Sequence, residues 1–104
     1  MGVHIELNTM LRLSKAEEIP AEYIIGKIYQ TKKSGVRLYP MDLAILLLDV
    51  SWNAIGYCAI RKVAISDNAM VIDYELLTRF TPEEVKVVTA TMLAGLRKGG
   101  YEIK

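Results

Sequence analysis

Residues 55 to 84 read Ile55-Gly56-Tyr57-Cys58-Ala59-Ile60-Arg61-Lys62-Val63-Ala64-Ile65-Ser66-Asp67-Asn68-Ala69-Met70-Val71-Ile72-Asp73-Tyr74-Glu75-Leu76-Leu77-Thr78-Arg79-Phe80-Thr81-Pro82-Glu83-Glu84. Two extended arms, 55–66 and 70–79, flank Ser66-Asp67-Asn68-Ala69. Asp and Asn tolerate the left-handed backbone that a tight hairpin demands, so the stretch predicts a β-hairpin. In the second arm Met70, Ile72, Tyr74 and Leu76 alternate with Val71, Asp73 and Glu75, which gives one apolar face and one acidic face. The hairpin ends at a helix signal. Thr81 is an N-cap, Pro82 stands at the first helical position and Glu84 completes a capping box. Val85, Val88, Met92 and Leu96 follow at helical spacing, with Val87 and Leu93 broadening the stripe, until Gly99-Gly100 stops it. The spacing predicts a helix over 82–98.

Working back towards the N-terminus, the apolar run from Leu43 to Leu48 suits a buried strand, and 49–53 turns the chain. From 3 to 13, Val3, Ile5, Leu7, Thr9, Leu11 and Leu13 alternate with His4, Glu6, Asn8, Met10 and Arg12, which predicts a half-buried strand with the second set on a solvated face. Residues 14–20 read as a loop. A second strand is expected over 23–31, a turn over 32–35 around Gly35, and extended chain over 36–39, with Pro40 unable to donate to a central ladder. Five or six strands and one long amphipathic helix make a mainly β (α+β) domain. So many short strands need closure or cover for their edges, so a barrel or a strongly curved sheet is expected. The helix would lie across an open end or face, or pair with a second copy. No strand–helix alternation is present to build a parallel sheet. The 104 residues form one domain, strand-rich over 1–80.

Composition limits the function. Thirteen Lys and Arg stand against 12 Asp and Glu, a formal charge of +1, so only a local patch could draw nucleic acid or an anionic membrane. One cysteine and one histidine exclude an internal disulfide, a multi-cysteine metal centre and any site built on two imidazoles. No bilayer-length apolar run and no basic leader ahead of an apolar core occur, and no myristoylation signal follows Gly2, so a cytoplasmic location with no membrane partner is expected. Cys58 lies in an apolar strand far in sequence from His4, which favours a buried structural thiol over a nucleophile. Asp73 and Glu75 fit a solvent face better than an acid–base pair, and no nucleophile elbow or phosphate-binding glycine loop is present. No residue set argues for an enzyme, and no metal or cofactor is expected.

One segment carries more. Between Tyr23 and Tyr39 stand Lys27, Lys32, Lys33 and Arg37 with no acid after Glu22, interleaved with Tyr23, Tyr29 and Tyr39. Basic groups can follow phosphates while aromatic rings stack on bases. Trp52, Asn53 and Arg61 would extend that surface if the fold brings them near. The competing reading is that lysines protect a strand edge. A modest apolar surplus points to a second class of function, self-association or docking on a protein partner, with Val87 and Leu93 of the helix or an edge strand as the surface.

The stretches Glu6-Leu7-Asn8-Thr9-Met10, Gly35-Val36-Arg37-Leu38-Tyr39-Pro40-Met41-Asp42, Gly56-Tyr57-Cys58-Ala59-Ile60 and Ile72-Asp73-Tyr74-Glu75-Leu76 resemble a family of short, uncharacterised bacterial proteins. The resemblance covers roughly the first 77 residues, so the helix looks like an addition. It implies no assigned activity and no catalytic residues. A fainter similarity runs to the PUA-like small barrels, including the RNA-associated ASCH domains, whose strand reading Gly-x-Ala-x-Ile compares with Gly56-Tyr57-Cys58-Ala59-Ile60. Their Gly-x-Lys-x-x-Glu-x-Arg signature is missing, so no ligand site carries over from them. The expectation is a non-enzymatic binding module for RNA or a nucleotide-like anion. The alternative is a homodimeric assembly or adaptor protein acting through its helix or an edge strand.

Overall fold

The computed structural model describes residues 8–13 and 23–100. The elements run β1 (Met10–Arg12), β2 (Ile28–Ser34), β3 (Ala44–Leu48), β4 (Ala54–Ser66), β5 (Ala69–Arg79) and α1 (Pro82–Lys98). The strands form one sheet in the order β1-β3-β4-β5-β2. The hairpin is as expected. Asp67 and Asn68 take φ of 50° and 61°, so both central residues are left-handed and Ser66 pairs with Ala69 across a two-residue turn.

Met70, Ile72, Tyr74 and Leu76 are all buried, and Leu11 and Leu13 of the first predicted strand meet the same core. The Tyr23 and Tyr74 hydroxyls hydrogen-bond each other at 2.9 Å inside it, which satisfies two polar groups that would be costly to bury alone. Register shifts at Tyr57/Cys58 and Ile60/Lys62 interrupt the β4–β5 ladder. Irregularities of this kind bend a strand and increase its twist, which curls the sheet around its apolar face.

Of the two expected forms, a barrel or a curved sheet, the chain takes the open one, and two further expectations are corrected. Among the described residues β1 pairs only with β3 and β2 only with β5, so each keeps an edge that no described strand covers. A parallel pair also exists, β1 with β3, because the chain crosses to the far edge to make β2 before it returns. Finally, β2 starts later and ends later than the 23–31 reading. Gly26, at φ 89°, turns the chain ahead of it, and Lys32, Lys33 and Ser34 stay in register with Val71, Met70 and Ala69. Only Gly35, at φ 76°, makes the following bend. Residues 3–7 and the loop 14–20 lie outside the described residues.

The helix has the predicted bounds and the capping box, with Thr81 accepting from the Glu84 amide and Glu84 accepting from the Thr81 amide. Its stripe faces the protein, but no residue of α1 is fully buried. Thr89 accepts a hydrogen bond from the Ala54 amide at 2.9 Å, and Val88 and Met92 border Leu46. Leu46 alternates with the core residues Ile45 and Leu47, so α1 rests on the face of the sheet opposite the core. The two helix residues singled out from sequence part company. Leu93 joins the half-buried face, and Val87 points outward.

Candidate ligand site

The sheet curls far enough for its two free edges to meet through a side chain. The Lys33 ammonium, on edge strand β2, donates to the Arg12 carbonyl on edge strand β1. Beside this tie lie two adjoining recesses of about 150 Å³ and 210 Å³. Arg12, Lys33 and Arg37 line both. The first also has Asn8, Met10, Tyr39, Leu48 and Trp52 on its wall, and the second has Leu13 and Ser34. None of these lining residues is a carboxylate.

Each cation is held in place by the local fold. The 49–53 turn is organised by Asp49, whose carboxylate accepts from the Ser51 amide at 2.9 Å, the Asn53 amide at 2.8 Å and the Asn53 side chain at 3.0 Å. That turn holds Trp52 at φ 69° and presents its ring to Arg12, whose guanidinium carbon lies 4.9 Å from the ring centroid. The same guanidinium donates twice to the Val50 carbonyl, at 3.2 and 2.6 Å. Arg12 is thus oriented by a carbonyl and an indole, and neither neutralises it. Arg37 is fixed through its backbone, with its amide 2.9 Å from the Met70 sulfur. Burial pushes the Tyr39 phenol above its usual range, and the adjacent, hydrogen-bonded Arg37 draws it partly back. Asn8 closes the rim, its amide and side chain both donating to the Leu38 carbonyl, at 2.8 and 3.3 Å.

Four of the residues singled out from sequence, Lys33, Arg37, Tyr39 and Trp52, therefore come together. The other four lie elsewhere. Lys32 alternates with Lys33 along β2 and is exposed on the opposite face. Lys27 sits before β2 with its ammonium 5.5 Å from the Tyr29 ring centroid. Arg61 bridges Asp42 at 2.7 Å and Glu75 at 3.2 Å, and Asn53 belongs to the Asp49 turn. Asp73, the other acid of that face, accepts from the Gln30 side chain at 3.0 Å. The sequence reading missed Arg12, which it placed with Asn8 and Met10 on a solvated face. Their common period-two spacing was the available signal, since all three border the first recess.

Cys58 is fully buried, and desolvation pushes its thiol up to about 12, which makes it structural. Among the described residues no cluster of three or more His, Cys, Asp or Glu could hold a metal ion. Among them also, no helix is long and apolar enough to cross a membrane.

Fold and site together define a small, open, curled mixed sheet with a cationic recess where its edges approach. The chain belongs to the family described as Domain of unknown function (DUF2584), which it matches over residues 1–80. This agrees with the resemblance to uncharacterised bacterial proteins, and α1 begins just beyond the matched span. Among solved structures the chain is similar to the crystal structure of protein ytmB from Bacillus subtilis. The two are 23% identical with a TM-score of 0.59, over 79% of this chain and 98% of that one, a likeness of fold. No curated protein matches the chain at a significant level. An open sheet lends the PUA-like resemblance no support.

Proposed function

We propose that this domain is a non-enzymatic binding module that takes single-stranded RNA by its phosphates at the cationic recess. The observation that carries the reading is that Arg12, Lys33 and Arg37, from two sheet edges and the segment after β2, line one concavity beside Trp52 and Tyr39. Arginine forks match phosphate oxygens bidentately, and an indole offers a stacking surface. Trp52, the single tryptophan, also reports on the site by its own fluorescence.

The test is a titration of Trp52 fluorescence with a short single-stranded RNA at two salt concentrations. Three phosphate contacts give a slope of log K against log salt of about −2, at roughly −0.7 per contact. Arg12→Ala and Arg37→Ala should each flatten the slope by about 0.7 and weaken binding about tenfold. Unchanged binding in the double variant overturns the reading.

A second reading, self-association through α1, is favoured by a different observation. Leu46, Val87, Val88, Thr91 and Met92 border an open apolar groove of about 390 Å³, and Val87 is 65% exposed. A second copy laid along this groove would bury a surface that the chain leaves in water.

A further inference from the structure

We infer that the occupant of the recess is the phosphorylated end of a strand, held one nucleotide deep, and not an internal stretch of it. The inference rests on the RNA reading above and adds to it the chemical form of the ligand. Size argues first. The recesses, about 150 and 210 Å³, are each smaller than the roughly 300 Å³ at which small-molecule pockets begin. Together they suit one nucleotide, with no room for a run of bases.

The two recesses also differ in chemistry. The second has three cations around it with only Leu13 and Ser34 besides, and cations are partners for phosphate oxygens. The first adds Met10, Trp52 and the Asn8 amide, partners for the face and edge of a base. Arg12 borders both, so a phosphate in one and its own base in the other would share that residue.

Charge and shape select the terminal form. An internal phosphodiester brings one negative charge. A terminal monoester brings about −1.5 to −2 at pH 7 and three acceptor oxygens, a closer match to three converging cations. A diester must also extend chain in two directions. Here Lys33 and Arg12 join the sheet edges, and buried Leu48 and Tyr39 stand on the wall of the first recess. A monoester needs only one way out.

The experiment compares three fluorescent RNAs of one sequence, carrying a 5′-phosphate, a 3′-phosphate or hydroxyls at both ends, by polarisation with the full chain. One phosphorylated end should bind at least tenfold tighter than the unphosphorylated strand. Arg37→Ala, a change at an exposed residue, should erase that advantage while its circular dichroism stays that of the parent. Equal binding of all three RNAs that still falls in Arg37→Ala would overturn the terminal-phosphate inference and leave the RNA reading standing. No binding of any of the three would overturn both.

Discussion

Gly56 and Gly95 should respond to the same substitution with opposite signs. Gly56 has no positive φ, so its backbone would accept alanine. What forbids alanine is the neighbouring strand. A Cβ there falls inside van der Waals contact of the Thr78 carbonyl oxygen, with the carbonyl carbon at 3.2 Å and the Arg79 Cα at 3.4 Å. All three obstacles are backbone, so no rotamer can relieve the clash. β4 and β5 must separate where Tyr57 donates to the Thr78 hydroxyl at 3.2 Å and Phe80 donates to the Ile55 carbonyl at 3.0 Å. Overpacking costs about 1–3 kcal/mol, and each weakened hydrogen bond adds about 0.5–1.5 kcal/mol. Restricting the unfolded chain offsets only about 0.4–1 kcal/mol of this.

The net loss for Gly56→Ala is therefore about 2–4 kcal/mol, or a fall in Tm of roughly 10–25 °C for a domain of this size. Gly95 lies in α1 with nothing within 4 Å of its would-be Cβ. Gly95→Ala should instead gain about 0.5–1 kcal/mol from helix propensity. Thermal melts followed by circular dichroism measure both. A Gly56→Ala protein that melts at or above the parent would refute the close approach of β4 and β5.

Two further outcomes concern alkaline stability and assembly. The Cys58 thiol, pushed up to about 12 in the folded chain, ionises near its ordinary value once unfolded. Its contribution is complete below about pH 8.5 and drains away as pH rises towards the folded value, by about 2 kcal/mol at pH 10. Urea melts at pH 7 and pH 10 should show a loss about 2 kcal/mol smaller in Cys58→Ala than in the parent, and equal losses would contradict the assigned burial. If α1 mediates assembly, the parent sediments as a dimer and Val87→Glu as a folded monomer. A parent that is monomeric at tens of micromolar ends that reading.

What was legible in the sequence is what local rules decide. Asp67-Asn68 specified the hairpin, alternation in 70–76 specified its buried face, and Thr81 with Glu84 specified the helix start. Each of these signals is complete within a few residues. The order of the sheet is not, because β1 pairs with a strand 36 positions away, as Met10 does with Leu46, and no residue in either strand names its partner. The site fell between these cases. Lys32 and Lys33 read as one basic patch because Lys32-Lys33-Ser34-Gly35 has the chemistry of a turn. Once it is a strand, the pleat sends them to opposite faces and only Lys33 reaches the recess. Arg12 was hidden because its partner, Val50, is 38 residues away.

The open sheet and the recess have one cause. In a closed barrel β1 and β2 would share a ladder, and their backbone groups would fill the space between the edges. Here β1 has only three paired residues, and a lysine side chain spans the remaining distance. Closure by a long flexible cation leaves a gap that a ladder would not, and it lines the gap with charge. Free edges ordinarily invite pairing with another chain, and charged residues placed on them discourage it. Lys33 and Arg12 stand on those edges. Edge protection, however, needs only charges pointing to solvent. It does not require a guanidinium clamped by the Val50 carbonyl against an indole, nor a carboxylate-organised turn to hold that indole in place. Orientation of that kind is what the proposed ligand requires, and it separates Arg12 from Lys32, which has the same charge and borders neither recess.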